Sequence, residues 1–419
     1  MAHLISSLEA WEALDSRGNP TIAVAVGVSG LAQGVALAPA GASAGSHEAT
    51  FLRDGAPPYS GQSVREVIGR ALPLVRSVWI GKDAEDPAAL DAALRLIDPS
   101  PSWAALGGNF TTAATVAAWL ALAHSQARAP WEVISEWTGR APTLPVPMVN
   151  MVSGGAHAAG AVAIQDVLAI PHSSWRVEDA IETAWRVRKG TREVMTELGF
   201  PTALIADEGG LAAGFSSSED AIKAVVEGVS RVGLVPGDDV GLALDVAANE
   251  FLGEGDRYQF EGETLSDAQL VAIISRWAST WPISSIEDPL AEDADWTTLA
   301  PLLMKTQIVG DDRYATSVDR LATGISRQEA NSVLIKPNQA GTLWGALEAI
   351  RTGKEAGWGT IVSARSGDTE EQWLVDLAVG SGAGQIKVGS TMRSERTAKW
   401  NRMLELSARE NLPYAGNEK

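Results

Sequence analysis

Ile286-Glu287-Asp288-Pro289-Leu290, answered one helix later by Val309-Gly310-Asp311-Asp312, is the stretch around which the chain is organised. Each half reads as a short apolar strand that stops abruptly in acid. Apolar runs of this length, closed by Pro or Gly, suit the inner strands of a parallel sheet. A carboxylate just past the C-terminal end of such a strand lies where barrel enzymes build their sites. Gly241-Leu242-Ala243-Leu244-Asp245 has the same design. Three consecutive strands thus bring Asp245, Glu287 and Asp311 to one rim. Clustered carboxylates repel one another unless a cation neutralises them, and all-oxygen ligation selects a hard ion such as Mg²⁺.

Working outward, the same unit repeats. Strands are expected at Val146–Val152, Ala161–Ile170, Thr202–Ala206, Gly241–Asp245, Ile283–Glu287, Gln307–Gly310, Ser332–Lys336, Thr360–Ser363 and Gln385–Val388. Helices fit between them, at Val177–Leu198, Ser218–Val232, Ser266–Ser279 and Gly341–Glu355. Repeated βα units of this number predict a (β/α)8 TIM-type barrel. Its opening is irregular: two strands meet through the loop Ser153–Gly160 with no helix between them.

Ahead of the barrel the pattern changes. Strands are expected at Leu4–Leu14, Thr21–Val28 and Gly34–Leu37, the first two joined by a turn at Asp15–Pro20. The small, Gly-rich loop Ala40–Glu48 suits a lid. Helices follow at Ser63–Val78, Pro87–Ile97 and Asn109–Ala127. The expected organisation is an α/β chain: an α+β capping domain over residues 1–128, a linker over 129–145, and the barrel over 146–419.

Composition sets bounds on function. A chain of 419 residues exceeds a typical single core, so two domains are expected. A net charge of −19 argues against nucleic acid or an anionic membrane as partner. The absence of cysteine excludes disulfides and thiolate chemistry and fits a cytoplasmic protein. Neither a signal peptide nor a membrane-length apolar run is apparent.

The polar residues at the expected strand ends are Asp207-Glu208, Asp245, Glu287, Asp311, Lys336, Ala364-Arg365-Ser366 and Lys387. One carboxylate after a strand is usually a helix cap or a solvated loop residue. Seven strands ending alike point to a shared site. The two lysines are the sharpest signals, because a structural lysine normally reaches for water. Two ammonium groups near divalent metal should depress one another's pKa, and a partly neutral lysine can remove a weakly acidic proton. Proton abstraction beside a carboxylate needs this set, with cations on the carboxylate oxygens stabilising the enolate.

Over nearly its whole length the chain resembles the enolase family. The resemblance rests on Leu14–Pro20, Gly41–Gly45, Val146–Asn150, Gly154–His157, Asp207–Gly210, Ala243–Phe251, Ile286–Leu290, Gly310–Asp312, Ile335–Gln339, Arg365–Gly367, Gly384–Lys387 and Arg393–Arg396. It implies that Asp245, Glu287 and Asp311 hold one Mg²⁺, and that Ser43 on the lid joins the substrate around a second. It implies Lys336 as the base, Lys387 on the substrate carboxylate, and Arg365 and Ser366 on a phosphate. Glu208 would be the acid at the leaving hydroxyl, with His157, Gln165 and Asp166 nearby. It further implies a small phosphorylated carboxylate substrate and a homodimer or larger homo-oligomer.

Two positions depart from the family pattern. Ala364 stands where a histidine is usual, and Asp166 where a glutamate is usual. Both lie toward the leaving group. Three readings follow: a dehydratase converting 2-phosphoglycerate to phosphoenolpyruvate, a specialised enolpyruvate-forming paralogue such as a carboxyphosphonoenolpyruvate synthase of phosphonate antibiotic pathways, and a binding protein on the same scaffold.

Overall fold

The computed structural model describes residues 2–30 and 32–417, so the outermost ends of the two expected domains lie outside it. Its first unit is an antiparallel meander of β1 (Ile5–Leu14), β2 (Pro20–Val28) and β3 (Ala32–Leu37). Helix Gly108–Ser125 lies across β2 and β3. That helix is rich in Ala and Thr and buried nearly all round, which lets backbone approach backbone. Gly34 marks the contact, since a Cβ there would stand 2.2 Å from the Ala117 carbonyl oxygen.

The second unit is a closed barrel. Its strands are β4 (Val146–Ser153), β5 (Asp166–Pro171), β7 (Val240–Asp245), β10 (Ile283–Glu287), β11 (Gln307–Gly310), β12 (Ser332–Ile335), β13 (Gly359–Ser363) and β14 (Gln385–Lys387). They neighbour one another in that order, and β14 returns to pair with β4. A short β6 (Leu211–Ala212) adds outside β4, and β8 (Tyr258–Phe260) with β9 (Glu263–Leu265) forms a separate hairpin. β5 runs antiparallel to both β4 and β7, so the helix-free opening reverses one strand. The barrel interior is filled by Met148, Leu168, Ile170, Ala243, Val309, Leu334 and Ile361.

Two strand expectations need correction. Thr202–Ala206 is not a strand: Leu204 and Ile205 are exposed and only an isolated bridge, Ile205 with Leu211, forms there. An apolar run without a neighbour to pair with stays a loop. The strand expected from Ala161 begins only at Asp166. The stretch expected as linker contains a helix, Pro130–Thr138, packed on helix Trp373–Gly380. Among the described residues, no helix is long and apolar enough to cross a membrane.

Candidate active site

Strand pleating explains how the site is assembled. Side chains alternate faces along a strand, so a residue two past an inward one also points inward. Ala243, Val309, Leu334 and Ile361 fill the interior. Two residues further on stand Asp245, Asp311, Lys336 and Ser363, all lining one cleft at the barrel's rim. Because β5 is reversed, its first residues meet the ends of the others: Asp166 is in register with Asp245. Gln165, just before β5, donates from Nε2 to Asp245 Oδ2 at 2.9 Å.

The cleft is narrow and lined almost wholly by polar groups. His157, Gln165, Glu208, Asp245, Asp311, Lys336, Arg365, Ser366, Lys387 and the lid's Ser43 all line it. Lys387 Nζ donates to Asp245 Oδ2 and to Glu287 Oε2, each at 2.7 Å. Lys336 donates to Asp311 Oδ2, while Gln339 Nε2 donates to Asp311 Oδ1 at 2.8 Å. The amines therefore sit among the acids rather than opposite them. Asp166 is placed differently from the other expected substrate residues. It is fully buried, taking a bond from Ser153 Oγ at 2.5 Å and lying 2.8 Å from His157 Nδ1.

The electrostatics follow from this packing. Burial drives the lysine amines toward neutrality, but Asp311 outweighs it at Lys336, and Asp245 and Glu287 outweigh it at Lys387. Both amines are held above the ordinary lysine value. Arg365 and Lys387 do depress Lys336, as expected of neighbouring cations, but Asp311 outweighs them. Burial, then Asp245, pushes Glu287 well above the usual carboxylate range. Burial with Asp312 and Asp311 does the same to Asp288, and Asp312 is raised to about 7 by burial and Asp311. His157 rises to about 9: burial opposes its charge, but Glu208 and Asp166 override it.

This crowding suits a divalent cation. Glu287 Oε1 is buried with no hydrogen-bond partner. Asp288, Asp311 and Asp312 have carboxylate oxygens within 4.8 Å of one another. An unpartnered carboxylate oxygen and acids crowded enough to raise Glu287, Asp288 and Asp312 are what a hard, oxygen-seeking cation would satisfy. Of the expected trio, Asp245 and Glu287 share the Lys387 amine and Asp311 holds Lys336, while the acids whose oxygens lie close enough together to share an ion are Asp311 and its neighbours Asp288 and Asp312.

Several residues beyond those expected shape the site. Asp288 accepts the backbone N–H groups of Asp311 at 2.9 Å and Asp312 at 2.8 Å, fixing the end of β11. Asn150 Nδ2 donates to Glu208 Oε2 at 3.0 Å. Arg17 in the first turn reaches Asp207 Oδ2 at 3.0 Å, bracing the loop that carries Glu208. Asp288 sat in the quoted acidic motif and Asn150 on an expected strand, two residues past the inward Met148; Arg17 gave no chemical signal alone.

The root of the Gly-rich loop is tied to the loop that follows β13. Ala40 and Gly367 exchange backbone hydrogen bonds at 2.8 Å. Gly41 passes so close to Arg365 that a Cβ would stand 2.0 Å from Nη2. At the lid tip Ser46 Oγ donates to Glu292 Oε1 at 2.7 Å.

Comparison with known families agrees with the geometry. The model described as the enolase N-terminal domain matches residues 5–134. The model described as the enolase C-terminal TIM barrel domain matches residues 141–419. Fold, cleft and both matches lead to one conclusion: the chain belongs to the enolase family.

Proposed function

We propose that this enzyme removes the C2 proton of a 2-phosphoglycerate-like carboxylate and releases an enolpyruvate product. The observation that carries the reading is the pair of cleft-lining lysines, buried Lys387 held by Asp245 and Glu287 and half-buried Lys336 held by Asp311. In this reading the C2–H bond breaks and its proton passes to Lys336 Nζ. The electron pair spreads into the substrate carboxylate, which Lys387 holds. In the dehydratase reading the C3–O bond then breaks and the hydroxyl leaves as water, taking its proton from the Glu208–His157 pair at that end. Arg365 and Ser366 grip the phosphate; Ser366 Oγ is buried without a partner, a donor left over for such a ligand.

Asp245, Glu287 and Asp311 would hold one Mg²⁺, and Ser43 a second with the substrate. The cation supplies positive charge for the acids and for the substrate carboxylate. With Asp311 committed as a ligand, Lys336 loses the partner that now holds its proton. The neighbouring Arg365 and Lys387 charges then favour a neutral amine.

The finer reading is a specialised paralogue, such as a carboxyphosphonoenolpyruvate synthase. It is supported by Ala364, which lines the cleft with only a methyl group, and by the withdrawal of Asp166 beneath His157. The second reading, dehydration of 2-phosphoglycerate to phosphoenolpyruvate, is favoured by one observation: Glu208 stays in the cleft, 3.7 Å from His157 Nε2. Absorbance of the enol product from 2-phosphoglycerate with Mg²⁺ separates the two. Turnover of about 10 s⁻¹ or more supports the dehydratase and rejects the specialised reading. Without it, a new phosphorus resonance from 2-phosphoglycerate with a nucleotide-activated phosphonoformate supports the paralogue, and its absence rejects it.

A homodimer is also proposed. Trp11 and Leu14 on β1 and Trp185 on helix Val177–Glu197 are exposed in a single copy, and burying such groups favours association. Light scattering giving a monomer mass would reject it.

A further inference from the structure

Glu48, the last residue of the lid loop, has no role in the reading so far, yet its side chain is only 6% exposed. Arg365 Nη1 donates to Glu48 Oε2 at 2.7 Å, and Nη2 donates to Oε1 at 3.2 Å. Nη2 also donates to the Ser43 carbonyl at 2.9 Å. Gln339 Nε2 donates to Glu48 Oε1 at 3.3 Å as well as to Asp311. The lid's own Gly45 N–H donates to the same oxygen at 3.1 Å.

One lid carboxylate thus touches three things: the guanidinium beside the cleft, the amide that orients Asp311, and the lid backbone. A two-point carboxylate–guanidinium pair fixes orientation as well as charge. A lid that had lifted away would carry Glu48 with it and leave Arg365 free to swing.

We propose that Glu48 is a positioning residue, aiming the Arg365 guanidinium at the substrate phosphate and making that aim conditional on a docked lid. This rests on the reading of Arg365 as the phosphate grip. A buried ion pair that serves stability alone is the competing account, and it leaves substrate affinity untouched.

The test is a double-mutant cycle on 2-phosphoglycerate binding, by calorimetry with Mg²⁺, alongside KM and kcat for whichever reaction the enzyme performs. E48Q keeps the size and removes the charge. The expected result is affinity about 10-fold weaker and a matching rise in KM, with kcat changed less than about threefold. E48D should recover part of the loss, and it replaces E48Q should that variant not fold. R365Q should also bind weakly, and E48Q with R365Q no more weakly than R365Q alone. The proposal is overturned if E48Q binds within about twofold of the unmodified enzyme while R365Q does not, or if the two losses add in full. If R365Q binds as the unmodified enzyme does, or the unmodified enzyme fails to bind 2-phosphoglycerate, the phosphate reading falls first and this proposal with it.

Discussion

Asp166 lies 2.8 Å from His157 Nδ1 and is closed off from the cleft that His157 lines. Its carboxylate is thereby spent on an imidazole rather than presented to the cleft. Across the cleft, Ala364 offers no polar side-chain group. The end of the cleft proposed for the leaving group therefore meets a ligand with neither the Asp166 carboxylate nor a polar side chain at Ala364. Restoring the ring in Ala364→His should raise 2-phosphoglycerate dehydration about 10-fold or more, within the usual contribution of a positioned acid–base group. Absorbance at the enol band reads it; an unchanged rate would show that the missing imidazole is not what sets this enzyme apart.

Glu371 links the two domains, accepting the Leu37 backbone N–H at 2.9 Å and the Thr369 hydroxyl at 3.0 Å. Burial, more than nearby Asp368, raises its carboxyl to about 7. A raised acid favours the fold while it is protonated, so this contribution is complete below about pH 4.5 and is lost as pH climbs through 7. Glu371→Gln keeps an acceptor and cannot ionise. Its stability advantage over the unmodified protein should grow from pH 4.5 to 7 and then level off, reaching at most about 3 kcal/mol. Urea unfolding at a series of pH values measures it, and a pH-independent difference would contradict it.

Asp288 adopts a left-handed backbone conformation with φ of 40°, which asparagine also tolerates. Asp288→Asn should therefore keep the turn but set an amide NH₂ against one of the two N–H groups at Asp311 and Asp312. A cost of about 1–3 kcal/mol in stability is expected. Mg²⁺ affinity should fall about 10-fold, as when a group supporting a metal ligand is removed. Thermal unfolding and calorimetric titration with Mg²⁺ read the two effects separately; unaltered Mg²⁺ affinity would remove Asp288 from the site.

Sequence pattern revealed the barrel where apolar runs ended in chemistry. Gln307–Gly310 and Ser332–Ile335 were legible because buried parallel strands are apolar on both faces. Thr202–Ala206 misled for the same reason: composition shows an apolar run but not whether a neighbour exists to pair with it. The reversal of β5, which carries Gln165 and Asp166 to the rim, was visible only as a missing helix. Glu48 and Gln339 stand 291 residues apart, so their meeting is a product of folding that no local pattern records. Which charge lies nearest each lysine, here Asp311 for Lys336, is likewise set by the fold and not by local pattern.

The central claim is that Lys336 takes the C2 proton. Deuterium wash-in at C2 of 2-phosphoglycerate, followed by NMR in deuterated buffer with Mg²⁺, tests it without requiring the later step to occur. The unmodified enzyme should exchange the position, and Lys336→Ala should slow exchange by about 100-fold or more while still binding 2-phosphoglycerate. Exchange persisting at the unmodified rate in Lys336→Ala would contradict the assignment.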